Sequence, residues 1–196
     1  MTSQPEDHSA RPRIQALAGL IRAAGETRNA PVEQWNPPYC GDIGLAIAAD
    51  GTWLYQGSAI RRPKLVKLFA RVLRRDEDGR YLLVTPAEKV DVTVADAPFL
   101  AVEMEARGEG RDQTLIFRTN VDDVVTCGAD HRLHFVEEPG SGGLKPYVRV
   151  RGRLQALVVR AITYDLLELV EEDATGRPGI WSGGRFFRVE TAAADL

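Results

Sequence analysis

Apolar residues recur at helical spacing near the start of the chain, as Ile14, Leu17, Leu20, Ile21 and Ala24, and Gly25 stands where a helix would stop. The pattern predicts a first helix packed on the body of the protein. From Asn29 to Pro38, three prolines (Pro31, Pro37, Pro38) remove donors and bias the preceding residues toward extended conformations, so this stretch is expected to be irregular. Ile43 to Ala48 and Thr52 to Gln56 then flank Asp50-Gly51, a pair suited to the positive φ angles of a type I′ turn, which predicts a β-hairpin. A helix over Arg61 to Arg75 would gather Leu65, Leu68, Phe69, Val72 and Leu73 on one side. Pro63 falls in its first turn, and Asp76-Glu77-Asp78-Gly79 breaks the pattern after it.

Beyond that breaker, strands are expected at Arg80 to Thr85, Lys89 to Val94 and Phe99 to Met104. In the second of these, Val90, Val92 and Val94 alternate with Asp91 and Thr93. Gly108, Glu109 and Gly110 form a polar break that suits a hairpin loop or a domain boundary. Thr114 to Arg118, Val124 to Cys127 and Leu133 to Val136 again read as strands, Pro139 to Gly143 as a flexible loop, and Tyr147 to Arg151 as extended. Leu154 to Val170 reads as a helix and Phe186 to Val189 as a last strand.

Two runs hint at a repeat. Ala49 to Tyr55 is like Ala129 to Phe135, and Gly79 to Val84 is like Gly184 to Val189, in the same order. The expectation is an α+β protein of two related halves, each an antiparallel sheet with a helix. Its assigned parts are a disordered tail over 1–12, a first domain over 13–106 and a second over 107–192.

Charge narrows the function. Lys and Arg number 25 against 28 Asp and Glu, a net charge of -3, so a whole-domain basic surface for extended nucleic acid is excluded. Within that balance, Arg61 to Arg75 carries seven cations, Arg61, Arg62, Lys64, Lys67, Arg71, Arg74 and Arg75, and no acidic residue. The first three sit where a helix N-terminus offers unpaired N–H groups to an anion, while the last four suit a solvated face. On the strand Tyr147 to Arg151, a two-residue period puts Tyr147, Arg149 and Arg151 on one face, the two guanidiniums about 7 Å apart. This is either a phosphate fork with a stacking group or the wet face of a strand. Arg160 and Tyr164, one helical turn apart, extend the same surface or form a structural network.

Other chemistry is weaker. Glu88, Asp91, Asp96 and Glu103 have no spacing that demands convergence on one bond, so exposed positions explain them and no catalytic residue is assigned. Cys127, His131 and His134 lack a fourth ligand for a closed zinc site, and no metal or other cofactor is expected. No phosphate-binding glycine fingerprint occurs. With two cysteines, no apolar leader and no long apolar run, a cytoplasmic protein with free thiols and no membrane contact is expected.

The run Trp35-Asn36-Pro37-Pro38-Tyr39-Cys40-Gly41-Asp42-Ile43 continues into Asp50-Gly51-Thr52-Trp53-Leu54-Tyr55-Gln56-Gly57-Ser58 and Ile60-Arg61. Together with Leu65 to Phe69, Thr85 to Lys89, Val150-Arg151, Arg160 and Tyr164-Asp165-Leu166, it resembles a bacterial family of unknown function, DUF1285. The matches span about Pro31 to Glu172; Ala59 and Ala87 depart from the family pattern, where Pro and Val would be expected. The resemblance implies a duplicated core, a second half superficially like a pleckstrin-homology barrel, and a nucleotide-type ligand at the junction of the halves in a signal-transduction role. It implies no catalytic residues.

The reading is thus a non-enzymatic protein that binds a phosphorylated, nucleotide-type small molecule between its halves and signals to a protein partner. Arg61, Arg62, Lys64, Arg149 and Arg151 would meet phosphate, Tyr39 and Tyr147 would stack, and Arg160 and Tyr164 would extend the site. The alternative is an interaction module that binds a peptide through its barrel-like half.

Overall fold

The computed structural model describes residues 10–24, 30–138 and 140–189. Most of the expected tail, the stop at Gly25 and residues 190–192 lie outside the described residues. The chain divides into two compact units, the first ending at Ala95 and the second running from Asp96 and including Ala49 to Gly51.

The first unit opens with α1 (Ala10–Ala23), so residues 10–12 belong to a helix and not to the expected tail. Its apolar stripe is as anticipated: Ile14, Leu17 and Ile21 are buried. Then come β1 (Tyr39–Ile47), β2 (Trp53–Tyr55), β3 (Ser58–Ala59), α2 (Pro63–Arg71), β4 (Leu73–Arg75), β5 (Tyr81–Val84) and β6 (Lys89–Val94). They form one sheet in the order β3-β2-β1-β6-β5-β4, antiparallel except for the central pair β1 and β6, which is parallel. Trp53, Phe69, Leu73 and Leu83 fill its core, Trp53 and Phe69 with ring centroids 6.0 Å apart. Burying side chains of this size stabilises by about 1.5–3 kcal/mol each.

Two local expectations change here. The hairpin forms, but only Gly51 of the Asp50-Gly51 pair has positive φ (79°), and Ala48 N–H bonds to Thr52 O. The connection is a three-residue loop closed by a left-handed glycine instead of a type I′ turn. The basic helix also stops at Arg71, and Leu73–Arg75 is a strand. The reason is Arg74, which is buried: its Nη1 donates to the carbonyls of Val32 and Trp35, both at 2.8 Å, and its Nε to Asp76 at 2.6 Å. The guanidinium satisfies the Trp35 carbonyl and gives the Val32 carbonyl, which also accepts Trp35 N–H at 3.2 Å, a second donor.

The second unit contains β7 (Phe99–Arg107), β8 (Thr114–Thr119), β9 (Val124–Thr126), β10 (Leu133–Glu137), β11 (Leu144–Arg151), β12 (Leu154–Val158), α3 (Arg160–Leu167), β13 (Glu171–Glu172), β14 (Pro178–Ser182) and β15 (Arg185–Arg188). Six strands order as β10-β11-β12-β7-β8-β9, again with a parallel central pair, β12 and β7. The last three form a separate antiparallel sheet. Because Phe99–Arg107 pairs with β8 and β12, the expected boundary after residue 106 moves back to the residues just before β7. The predicted helix Leu154 to Val170 is likewise shortened. Leu154, Ala156 and Val158 are buried at period two and pair with β11 and β7, so only the part from Arg160 is helical. A short apolar run fits both periods, and the sheet decides between them.

The halves are thus related: in each, a three-strand meander is followed by a second, and the first strand of one lies parallel to the last strand of the other. The sequence echoes noted above do not carry this relation. Ala49 to Tyr55 makes the turn into β2, whereas Ala129 to Phe135 leads into β10, whose counterpart is β4; Gly184 to Val189 lies outside the six-stranded sheet altogether.

Candidate functional site

In the first unit, α1 and α2 enclose a cleft of about 440 Å³ lined by Ile14, Gln15, Ala18, Arg22, Arg62, Lys64 and Leu65. Ile14, Ala18 and Leu65 are buried and supply an apolar floor, while Arg22, Arg62 and Lys64 are exposed at its mouth. Proline at the first position of α2 and an uncapped Arg62 place Arg62 and Lys64 at that helix's N-terminal end, while Arg22 comes from the last turn of α1. Among the described residues no carboxylate lines the cleft. Arg61, next in sequence, is exposed beside it.

Tyr39, expected to stack on a ligand, is already engaged. It is 48% exposed, its hydroxyl donates to Asp91, and the Arg80 guanidinium lies 4.8 Å above its ring while donating to Asp91 at 2.6 Å. The hydrogen bond to Asp91 pushes the Tyr39 hydroxyl above its ordinary pKa. Burial works against the Asp91 charge, yet the bonds from Tyr39 and Arg80 hold its carboxyl below the usual range.

The predicted fork in the second unit is not formed. The pairing of β11 with β12 shifts register between Arg149 and Arg151, which breaks the two-residue alternation. Arg149 is exposed and donates to Gly152 O at 2.6 Å, whereas Arg151 lies 5.1 Å above the Phe99 ring and donates to Asp123 at 2.8 Å. Burial pushes the Arg151 guanidinium down from its ordinary range, although Asp123 pulls the other way. Tyr147 is buried, donates to Asp96 at 2.7 Å and stacks on His134 with centroids 5.4 Å apart. Arg160 and Tyr164 do meet: Arg160 Nε donates to the Tyr164 hydroxyl at 3.1 Å, both exposed on α3. This contact raises the Arg160 pKa.

The four carboxylates weighed as acid–base candidates all hold cations. Arg13 clasps Glu88 through two bonds of 3.0 and 2.6 Å, Arg80 holds Asp91, Lys145 holds Asp96 at 2.9 Å, and Arg118 holds Glu103. Cys127 is buried and its thiol is pushed up to about 11 by desolvation, which makes it a poor nucleophile or ligand. His131 Nδ1 contacts Arg149 O at 3.0 Å, and burial followed by the nearby Arg132 lowers the His134 pKa.

The sequence reading missed a groove of about 720 Å³ in the second unit. It is lined by Arg111, Arg132 to Phe135, Glu172 to Ala174, Trp181 and Phe186 to Arg188. Arg111 lies 5.3 Å above the Trp181 ring, which meets Phe186 at 5.0 Å. Gly179 makes this packing possible, since a Cβ there would fall against the Phe186 ring and 2.8 Å from Phe187 O. One corner is riveted by Ser182, whose hydroxyl accepts from Leu115 N–H at 2.9 Å and donates to Cys127 O at 2.8 Å. The signal that would have found the groove is Trp181 and Phe186 flanking Gly183-Gly184, a tight hairpin with aromatics on both arms.

Two topologically matched halves, each a six-stranded sheet with helices and its own lined cleft, define a duplicated α+β protein. Family models agree on a particular group: the DUF1285 N-terminal domain, a domain of unknown function, matches residues 30–97, and the DUF1285 C-terminal domain, from a protein of unknown function, matches 98–189. The chain belongs to the DUF1285 family. A crystal structure of a DUF1285 family protein from Silicibacter pomeroyi DSS-3 is 45% identical, with 90% of this chain and 95% of that chain covered and a TM-score of 0.83. Another, from Shewanella baltica OS155, is 29% identical over 64% of this chain and 91% of that chain, with a TM-score of 0.50. A search of curated proteins finds no match. No helix among the described residues is long and apolar enough to cross a membrane.

Proposed function

We propose that this protein is a non-catalytic binding protein that captures a phosphorylated small molecule of nucleotide type and relays its occupancy to a protein partner. The reading is carried by the α1–α2 cleft, where Arg22, Arg62 and Lys64 surround an apolar floor with no carboxylate in the lining. Elsewhere several arginines hold intramolecular carboxylates, as Arg13, Arg74, Arg80, Arg118 and Arg151 do. Cations left without such partners retain their full attraction for phosphate, and guanidiniums bind it through two parallel bonds. A volume of about 440 Å³ lies within the range of small-ligand sites.

Calorimetry with AMP, GMP, ATP and inorganic phosphate tests the reading. At least one nucleotide should bind, and Arg62→Ala with Lys64→Ala should weaken it about tenfold or more, as loss of two charge-assisted contacts implies. Absence of binding across the panel, or affinity unchanged in the double variant, overturns it.

A further inference from the structure

The groove of the second unit carries a separate proposal, a small-molecule site with fixed aromatic walls. It runs along the seam where β15 packs beside β10, over a floor of Leu133, Phe135 and Phe187 that is 4%, 1% and 6% exposed. The Leu133 backbone is already bonded to the Cys127 thiol. No strand can be added at such a seam, and the open space belongs to side chains.

The walls need no ligand to hold their shape. Gln113 Nε2 donates to Trp181 O at 2.8 Å, Gly183 N–H donates to Gln113 O at 2.9 Å, and Ser182 links Leu115 to Cys127, so β14 is fastened along its length. Trp181 and Phe186, paired across β14 and β15, therefore keep partly exposed rings at the groove. A preformed site costs little ordering entropy when a ligand enters, and about 720 Å³ is within the range of small-ligand sites.

Charge decides the ligand's polar end. Among the charged lining residues, Asp173 and Arg188 hold each other at 3.6 Å, and Asp173 also accepts from Thr175. Arg111 and Arg132 are exposed and hold no carboxylate among the described residues. Arg111 lies 5.3 Å above the Trp181 ring. That contact is with the π face and consumes no hydrogen bond, so its N–H donors stay available to an anion. Glu172, exposed in the same lining, repels a dianion more strongly than a monoanion, which works against phosphate. We infer that this groove binds an aromatic monocarboxylate, its ring against Trp181 and Phe186 and its carboxylate held by Arg111 and Arg132. Guanidiniums match carboxylate geometry through paired donors, and the rings supply the flat apolar surface.

The probes are 2-naphthoate, its neutral amide and inorganic phosphate. Calorimetry with the full-length protein should show 2-naphthoate binding with Kd below about 1 mM and the amide binding about tenfold more weakly, since it forfeits the charge-assisted contacts. Arg111→Gln with Arg132→Gln, both at exposed positions, should weaken 2-naphthoate about tenfold or more and leave Tm unchanged. Trp181→Leu, which keeps the backbone bond to Gln113, should weaken it about fivefold. The proposal is overturned if 2-naphthoate does not bind at about 1 mM, if the amide binds equally, if inorganic phosphate displaces 2-naphthoate at equal concentration, or if the double variant keeps full affinity. The α1–α2 cleft has no aromatic side chain in its lining and is untouched by these variants, so nucleotide binding there can fail or succeed independently.

Discussion

The two units share one strand order and differ in where a helix interrupts it. In the first, α2 sits between the two meanders; in the second, a short loop joins β9 to β10 and α3 follows the last strand. The consequence is electrostatic as well as geometric. Inserted after β3, α2 carries its cations out beside α1, where Arg62 and Lys64 border a cleft free of carboxylates. In the second unit, arginines of the sheet itself lie opposite acidic neighbours, as Arg118 does with Glu103 and Asp122 and Arg151 with Asp123, and are neutralised there. The same scaffold therefore yields an open cationic cleft in one half and, in the other, an aromatic groove left by an added three-stranded sheet.

The comparison is broken most severely in the cores. Phe69→Ala in the first unit and Phe117→Ala in the second each remove a fully buried ring, and each should cost about 3–5 kcal/mol. Unit-resolved hydrogen exchange checks whether each loss is confined to its own half; a loss shared equally by both would mean that the halves do not unfold as separate units.

A middling difference is expected between two arginines. Arg74 is 7% exposed and serves three acceptor groups, so Arg74→Ala strips the guanidinium from the Trp35 carbonyl and Asp76 and leaves Val32 O with the Trp35 N–H alone; it should cost about 3 kcal/mol by chemical denaturation. Arg151 is half-buried against Asp123 and Phe99, so Arg151→Ala should cost about 1–2 kcal/mol. Equal costs would show that the captured carbonyls of Val32 and Trp35 contribute nothing.

The smallest effect at neutral pH concerns the thiols. Cys40 is exposed in the first unit and Cys127 is buried in the second, so a thiol reagent should label one site in the native protein and both in denaturant. The folded state raises the Cys127 pKa from 9.0 to about 11, because burial favours the neutral thiol. Its contribution to stability is therefore complete below pH 9 and is lost as pH rises through about 11. Cys127→Ala should flatten the alkaline limb of the stability profile between those values; an unchanged limb would place the thiol in contact with water.

Much of the architecture was legible locally. Period-two patterns located β6, β8 and β10, and the 3.6-residue pattern located α1 and the body of α2, because each buries one face and needs no distant partner to be recognised. Where a segment satisfied both periods, as Leu154 to Val158 does, a parallel neighbour nearly sixty residues earlier in the chain decided the outcome. The Arg62 and Lys64 part of the site was visible as a charge run beginning at a proline. Arg22 was not, since only the packing of α1 on α2 brings it to the same cleft. Trp181 and Phe186 were missed as a pair because Pro178, Gly179, Gly183 and Gly184 mask the strand that carries Trp181.

The sequence by itself determined which residues are apolar on which face, where the chain turns, and that its positive charge is concentrated at the start of one helix. Tertiary structure alone decided the register shift that separates Arg149 from Arg151 and the capture of Arg74 by two carbonyls. Each of these depends on which distant backbone group lies opposite. Local periodicity carries no information about such pairings, because hydrogen-bond partners are set by the assembled sheet.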